Sequence, residues 1–499
     1  MPENPPRPGS SVSSRRTSGT IEHVIVMMLE NRSFDHIFGF RPGVHGLEGT
    51  ELNLLDPARP ASATNRAFHV NGDGPPVVLA GEGPGHSVHA TNVQLCNDKA
   101  GPRAGTPAAN NGFVRSYKDE LMFADKVRAP TDLMIEVVMQ SLAPSQLPSA
   151  HALADAFCLC DNWYAEVPGP TQPNRLYMHA ATSLGYAHNV WTKQFDARTI
   201  YGNLQEAGFT WATYEFDHNE VREFKQVNGQ SGNFKRFEDA FAADVQGGAL
   251  PNYAFILPRF MNATNGPANS QHAPEDPRYG DNFIADVYEA LRRNEDVWNK
   301  SVLIVIHDEH GGFYDHVIPP AGVPNPDGLS SPPHGDPASF APVFDFSRLG
   351  LRVPALIVSP WVPAGKIDST RYQHTSVLAT LKSMFGLPTF LSKRDASANP
   401  FDRLFQQLPA PRTDTPRTLP RADLPQLPAS LDDPAHPVNQ PLDRTQRDML
   451  IGAHQLTLGS HPDGPTIDEL PNTQGEAHRF IRARYERHFG SRATSRPAS

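Results

Sequence analysis

A chain of 499 residues that is 38 % apolar and 20 % charged carries enough apolar material for a sizeable core and too much for a wholly disordered polymer. Its net charge of −10 lacks the basic balance that a nucleic-acid backbone demands, so no nucleic-acid partner is expected. Three cysteines, Cys96, Cys158 and Cys160, exclude a disulfide framework, and Cys158-x-Cys160 has no second pair to complete a zinc site.

In chain order, residues 1–19 are rich in Pro, Ser and Arg and are expected to be disordered. The first apolar run, from Ile21 to Leu29, is short and carries Glu22 and His23. It reads as a buried strand over 24–29, not as the apolar segment of a signal peptide. No stretch reaches the ~20 apolar residues of a membrane span. The expected location is therefore cytoplasmic, with secretion without a cleaved signal as the alternative. Residues 20–400 alternate short apolar runs with helical stretches, which predicts an α/β domain on a central, mostly parallel sheet. The clearest strands are 24–29, 253–257, 302–307 and 355–359. Helices are predicted over 149–157, 283–293 and 375–385. Residues 401–445 read as a Pro-rich arm or linker. Residues 446–499 read as a helical C-terminal region, with helices over 446–458 and 474–489.

Acids follow directly on two of these strands. Glu30-Asn31 ends the first, and Asp308-Glu309-His310-Gly311-Gly312 ends the run over 302–307. In open α/β sheets the ligands gather beyond the carboxyl ends of strands. Carboxylates brought together there repel unless a cation joins them. Three carboxylates and an amide oxygen make a hard oxygen site, suited to Ca²⁺, Mg²⁺ or Mn²⁺. The plainer reading of either pair alone is a solvated helix cap.

Thr171 stands in Gly169-Pro-Thr-Gln-Pro-Asn-Arg175, between a turn and a helix start expected at Pro173. A helix N-terminus offers N–H groups to a phosphate, and Arg175 could add charge. A threonine hydroxyl becomes a useful nucleophile only when a base or metal activates it. His86, His272, His310 and His316 lie in Gly/Pro-rich loops, and His310 adjoins the second acid pair. His374 reads as a helix-start residue. Trp163, Tyr164 and Tyr314 neighbour these motifs and are assigned to core packing ahead of cation recognition.

Taken together, Glu30-Asn-Arg-Ser-Phe-Asp-His36, Pro84-Gly-His-Ser87, Gly169–Arg175 and Asp308-Glu-His-Gly-Gly-Phe-Tyr-Asp-His316 resemble, in order, the motifs of the phospholipase C/acid phosphatase family. Arg352-Val-Pro, Ser359-Pro-Trp361 and Ser392-Lys-Arg-Asp395 add to the resemblance, which covers roughly residues 20–400 and looks closest to the non-specific phospholipases C. It implies an alkaline-phosphatase-like α/β sandwich, with the Pro-rich arm and C-terminal helices appended. It implies one divalent ion, Ca²⁺ first with Mg²⁺ or Mn²⁺ as alternatives, on Glu30, Asn31, Asp308, Glu309 and the Thr171 hydroxyl. Thr171, His86, His272 and His310 become the catalytic candidates, and His86, His272, Arg175 and His316 the substrate contacts. Threonine at the nucleophile position favours a phospholipase C that releases diacylglycerol from lipids such as phosphatidylcholine, through a phospho-threonine. An acid phosphatase and a non-catalytic binding protein are the alternatives. His272-Ala-Pro274 departs from the family's usual His-Pro-Pro, which bears on the role of His272. The implied partners are a phospholipid and, transiently, a membrane surface.

Overall fold

Strand β1 (His23–Leu29) is apolar from Val24 onward and buried at every one of those positions. Such a strand needs cover on both faces, as the inner strands of parallel sheets have. In the computed structural model, which describes residues 21–490 except 64, 76–78, 80, 192–193, 228, 333–342 and 461–463, β1 lies inside an eight-stranded sheet. The expected disorder of residues 1–19 lies outside the described residues. The other strands are β2 (Cys158–Cys160), β3 (Trp211–Glu215), β4 (Phe234–Arg236), β5 (Tyr253–Ile256), β6 (Ser301–His307), β7 (Ala355–Val358) and β8 (Lys366–Asp368). Their spatial order is β8-β2-β7-β6-β1-β5-β3-β4. All neighbours are parallel except that β7 runs antiparallel to β6 and β2. The expected α/β class with a mostly parallel sheet is therefore met.

Register positions the site. Leu29 of β1 lies opposite His307 of β6. Because the two strands are parallel, Glu30-Asn31 and Asp308-Glu309 leave the sheet side by side.

The principal helices are α1 (Val88–Cys96), α2 (Phe113–Phe123), α3 (Pro148–Ala156), α4 (Thr171–Ala180), α5 (Pro277–Arg292), α6 (Thr375–Phe385), α7 (Arg444–Thr457) and α8 (Gln474–Gly490). Helix α5 starts earlier than its apolar pattern, because Asp276 caps the Arg278 N–H and Pro277 fits the first turn. Helix α4 starts at Thr171, not Pro173. Pro173 is still inside the first turn, where backbone N–H groups have no partner within the helix and its missing donor costs nothing.

Residues 401–443 hold little regular structure but lie against the domain. Phe401, Leu404, Phe405 and Leu419 belong to the main core. Tyr288 and Arg292 of α5 both donate to the Pro416 carbonyl. Met449 and Leu450 of α7 and Ile481 and Tyr485 of α8 join the same core. A second cluster, including Phe68, Leu95, Phe113, Val138 and Tyr314, packs around α1 and α2.

Candidate active site

Asn31 is the hinge of the site. Its φ of 59° is in the left-handed region, which Asn tolerates better than most residues. Its N–H donates to Asp308 Oδ1 at 3.1 Å. Its side-chain Oδ1 accepts from the Thr171 hydroxyl at 3.3 Å. Its Nδ2 stands 3.4 Å from His86 Nε2. Thr171 is the first residue of α4, and its side chain is fully buried. Gly311 passes so close that a Cβ there would sit 2.1 Å from the Asn31 carbonyl oxygen.

Asp308 accepts from the N–H groups of Asn31 and Glu309 on one oxygen and from Arg175 Nε, at 3.1 Å, on the other. Glu309 Oε2 accepts from the Gly311 N–H at 2.8 Å, and its Oε1 lies 4.0 Å from His86 Nε2. Arg175 also reaches Glu30 Oε1 at 3.3 Å and Glu220 Oε1 at 3.1 Å. It further donates to the carbonyls of Met28 and Leu29. The four sequence-expected ligands, the threonine and Arg175 thus form one connected, buried group.

The electrostatics show what that group lacks. Burial pushes the Glu309 carboxyl up to about 8, and the neighbouring Asp308 charge adds to the rise. Burial likewise holds Glu30 well above the ordinary carboxyl range, even with Arg175 opposing it. Burial would raise Glu220 as well, but Arg175 and His179 hold it at about 2. Glu309 Oε1 is buried without a hydrogen-bond partner, while Glu30 Oε1 meets only the Arg175 ion pair. Orphaned buried carboxylate oxygens are costly unless a cation meets them. Three carboxylates, an amide oxygen and a hydroxyl are donors that a hard divalent cation takes.

The histidines divide. His86 and His272, with ring centroids 5.8 Å apart, line a cavity of about 300 Å³ whose wall also includes Pro170, the residue before Thr171. His86 Nδ1 lies 3.0 Å from the Pro84 carbonyl oxygen, which it reaches as a donor. His272 Nδ1 contacts the Ala273 carbonyl, leaving a buried Nε2 without a partner. Burial and the nearby His86 push His272 down to about 3. His310 is buried with both ring nitrogens engaged, Nε2 with Gln94 Oε1 at 2.8 Å and Nδ1 beside Glu309 at 3.3 Å. His374 stands just before α6 and donates through Nε2 to the Asp308 carbonyl at 2.6 Å.

His316 belongs to a different cluster. Its Nδ1 lies 2.7 Å from Asp35 Oδ2, and Arg352 bonds both Asp35 and Asp315. Asp35, Asp315 and His316 could each turn a ligand atom toward one point, so a group able to hold a metal ion is present here too. The buried Arg352 guanidinium already supplies positive charge to both aspartates. Trp163, Tyr164 and Tyr314 are buried in the core clusters. Sequence reading missed Gln94 and Glu220. Glu220 acts through Arg175 and His179, Gln94 through His310, and neither stands in a local pattern.

The sequence model of the Phosphoesterase family matches residues 21–388. The non-specific phospholipase C3 of Arabidopsis thaliana is 36 % identical over 442 residues, 83 % of this chain and 77 % of that one. The non-specific phospholipase C6 of the same plant is 32 % identical over 95 % of this chain and 89 % of its own. Phospholipase C B of Mycobacterium tuberculosis is 29 % identical over 82 % of each chain. A solved structure of a protein in the alkaline phosphatase superfamily from Vibrio parahaemolyticus overlaps 52 % of this chain and 66 % of its own, at a TM-score of 0.31 and 14 % identity.

Proposed function

The chain belongs to the phosphoesterase family, and from that premise we propose that it is a phospholipase C, a phosphoric ester hydrolase that releases diacylglycerol and a phosphorylated head group from glycerophospholipids. The observation that carries the site assignment is the hydrogen bond from Thr171 to Asn31, which ties the one buried hydroxyl of the α4 N-terminus to the acid group.

Glu30, Asn31, Asp308 and Glu309 would hold one divalent ion, Ca²⁺ by preference, with Mg²⁺ or Mn²⁺ as alternatives. Bound there, it supplies Lewis acidity and lowers the pKa of a neighbouring hydroxyl. The partnerless Oε1 of Glu309 favours this place over the Asp35 cluster, where Arg352 bonds both aspartates. Thr171 Oγ1 attacks phosphorus and the P–O bond to diacylglycerol breaks. His86 and His272 contact the phosphoryl oxygens from the cavity wall. Water in the cavity takes up the Thr171 proton and gives one to the leaving oxygen, because the one ring proton of His272 is on Nδ1, held by the Ala273 carbonyl, and His310 is turned to Gln94 and Glu309. Water then cleaves the phospho-threonine. Arg175, expected from sequence to contact substrate, is reassigned as a positioning residue, since its N–H groups turn to buried oxygens. His316 likewise leaves the substrate contacts. Lipid contact is peripheral on this reading; among the described residues, no helix is long and apolar enough to cross a membrane.

The test is phosphorus NMR with short-chain phosphatidylcholine, with and without chelator, on wild type and Thr171→Ala. Phosphocholine should appear only for wild type without chelator, with Thr171→Ala slower by at least ~10³-fold. Hydrolysis of a small phosphomonoester without any phosphocholine would move the chain to the acid phosphatase reading.

A further inference from the structure

Beside the catalytic cavity lies another, of about 450 Å³, whose walls include Ala268, Pro274, Leu427, Pro437, Pro441 and Leu442. The two cavities share Glu82 and Asp443. Three stretches of chain run from one to the other. Gly81 and Glu82 face the apolar cavity, while Glu82 to Ser87 face the catalytic one. His272 lines the catalytic cavity, and Pro274 to Asp276 line the apolar one. Pro441 to Asp443 line the apolar cavity, and Asp443 to Thr445 the catalytic one. The first two stretches pack so tightly that a Cβ on Gly83 would sit 2.7 Å from the Ala273 Cβ. The cavities are therefore the two sides of one shared wall.

The acids in that wall are committed elsewhere. Glu275 accepts from the Ser270 hydroxyl at 2.8 Å and from Gln446 Nε2 at 3.1 Å. Asp276 pairs with Arg278, Asp443 caps the Gln446 N–H, and Glu82 pairs with Arg444. The amides of the lining are engaged as well, Asn262 with the Pro437 carbonyl and Gln474, Gln440 with the Pro434 carbonyl and Gln474 with the Pro441 carbonyl, so that beside Tyr279 the surface turned to the cavity is mainly proline, leucine and alanine.

We propose that this second cavity takes an acyl chain of the glycerophospholipid substrate, an inference that rests on the phospholipase C reading. A glycerophospholipid has its phosphorus and its apolar chains only a few bonds apart. A polar cavity at His86 and His272 that adjoins an apolar one matches that arrangement. The volume falls within the ~300–1,000 Å³ of small-molecule sites. The Pro-rich segment supplies Leu427 and Pro437, which gives it a part in substrate selection.

The experiment measures kcat/KM for monomeric phosphatidylcholines from dibutyroyl to diheptanoyl, for the full-length wild type and for Leu427→Asp. A methylene taken fully out of water strengthens binding by up to about fourfold. Wild-type kcat/KM should climb more than about tenfold across the series. The diheptanoyl-to-dibutyroyl ratio should fall at least about fivefold in Leu427→Asp. A flat wild-type series, or an unchanged ratio in the variant, overturns the acyl-chain assignment and leaves the phospholipase C reading standing. Wild type that cleaves p-nitrophenyl phosphate but no phosphatidylcholine overturns both. Should Leu427→Asp fail to fold, the wild-type series alone decides.

Discussion

Asn31 and Gly311 meet where two strands end, and the backbone there has no slack. Gly311 has a φ of 65°, and its missing Cβ leaves room for the Asn31 carbonyl. Gly311→Ala must therefore shift either the Asn31 carbonyl or the Glu309 carboxylate that the Gly311 N–H holds. The expected outcome is a loss of about 1–3 kcal/mol in stability together with at least tenfold in kcat, measured by denaturant unfolding and phosphocholine release. Arg175 is a harsher case. Removing it as Arg175→Met leaves Glu30, Asp308 and Glu220 buried around no cation of the chain's own. Breaking such a group costs about 3–5 kcal/mol. The melting temperature should fall accordingly, and less so for Arg175→Lys, which keeps the charge but not the planar fork. An unchanged melting temperature for Arg175→Met would remove the positioning role proposed for it.

Helices α3 and α5 are joined by Asp281 of α5. Its carboxylate accepts from the N–H groups of Ser149 and Ala150, at 2.8 and 2.9 Å, and so caps the first turn of α3 from a neighbouring helix. Burial pushes its pKa up to about 6, against an ordinary value of 3.8, although those bonds oppose the rise. A carboxyl with a raised folded-state pKa binds more protons folded than unfolded. Its contribution to stability is therefore greatest below about pH 4 and declines as pH rises toward about 6. The loss is on the order of 3 kcal/mol. Asp281→Asn does not titrate, so wild-type stability minus variant stability should fall across that window in urea melts at fixed pH. A difference that stays constant with pH would show that Asp281 titrates normally. At this scale much was legible. The runs at 24–29, 302–307 and 375–385 became β1, β6 and α6 within a residue at either end. The short strands β2, β3, β4 and β8 were not foreseen, because three to five residues carry too little periodicity and owe their form to neighbouring strands.

For the molecule as a whole, the segment after residue 400 contributes to the core as well as to the surface. Phe401, Leu404, Phe405, Leu419, Met449 and Leu450 are all buried in the main cluster. Each buried side chain of this kind is worth about 1.5–3 kcal/mol, so the six together rival a typical domain's entire net stability. A chain ending at Pro400 is therefore expected to lack a cooperative thermal transition and to aggregate, as read by circular dichroism and size-exclusion chromatography. A truncated chain that melts cooperatively near the full-length temperature would show that the 20–400 region folds alone. The sequence by itself determined the α/β class, the buried central strands and the acids at their ends. Those are local patterns, and parallel pairing brings strand ends together whatever the rest of the chain does. Only the tertiary structure decided that Arg175 faces inward to Glu220, that His316 joins Asp35 and Arg352, and that the Pro-rich segment lies on the core. Each of these depends on contacts between residues distant in sequence, and proline-rich composition describes a segment's stiffness without saying what it will lie against.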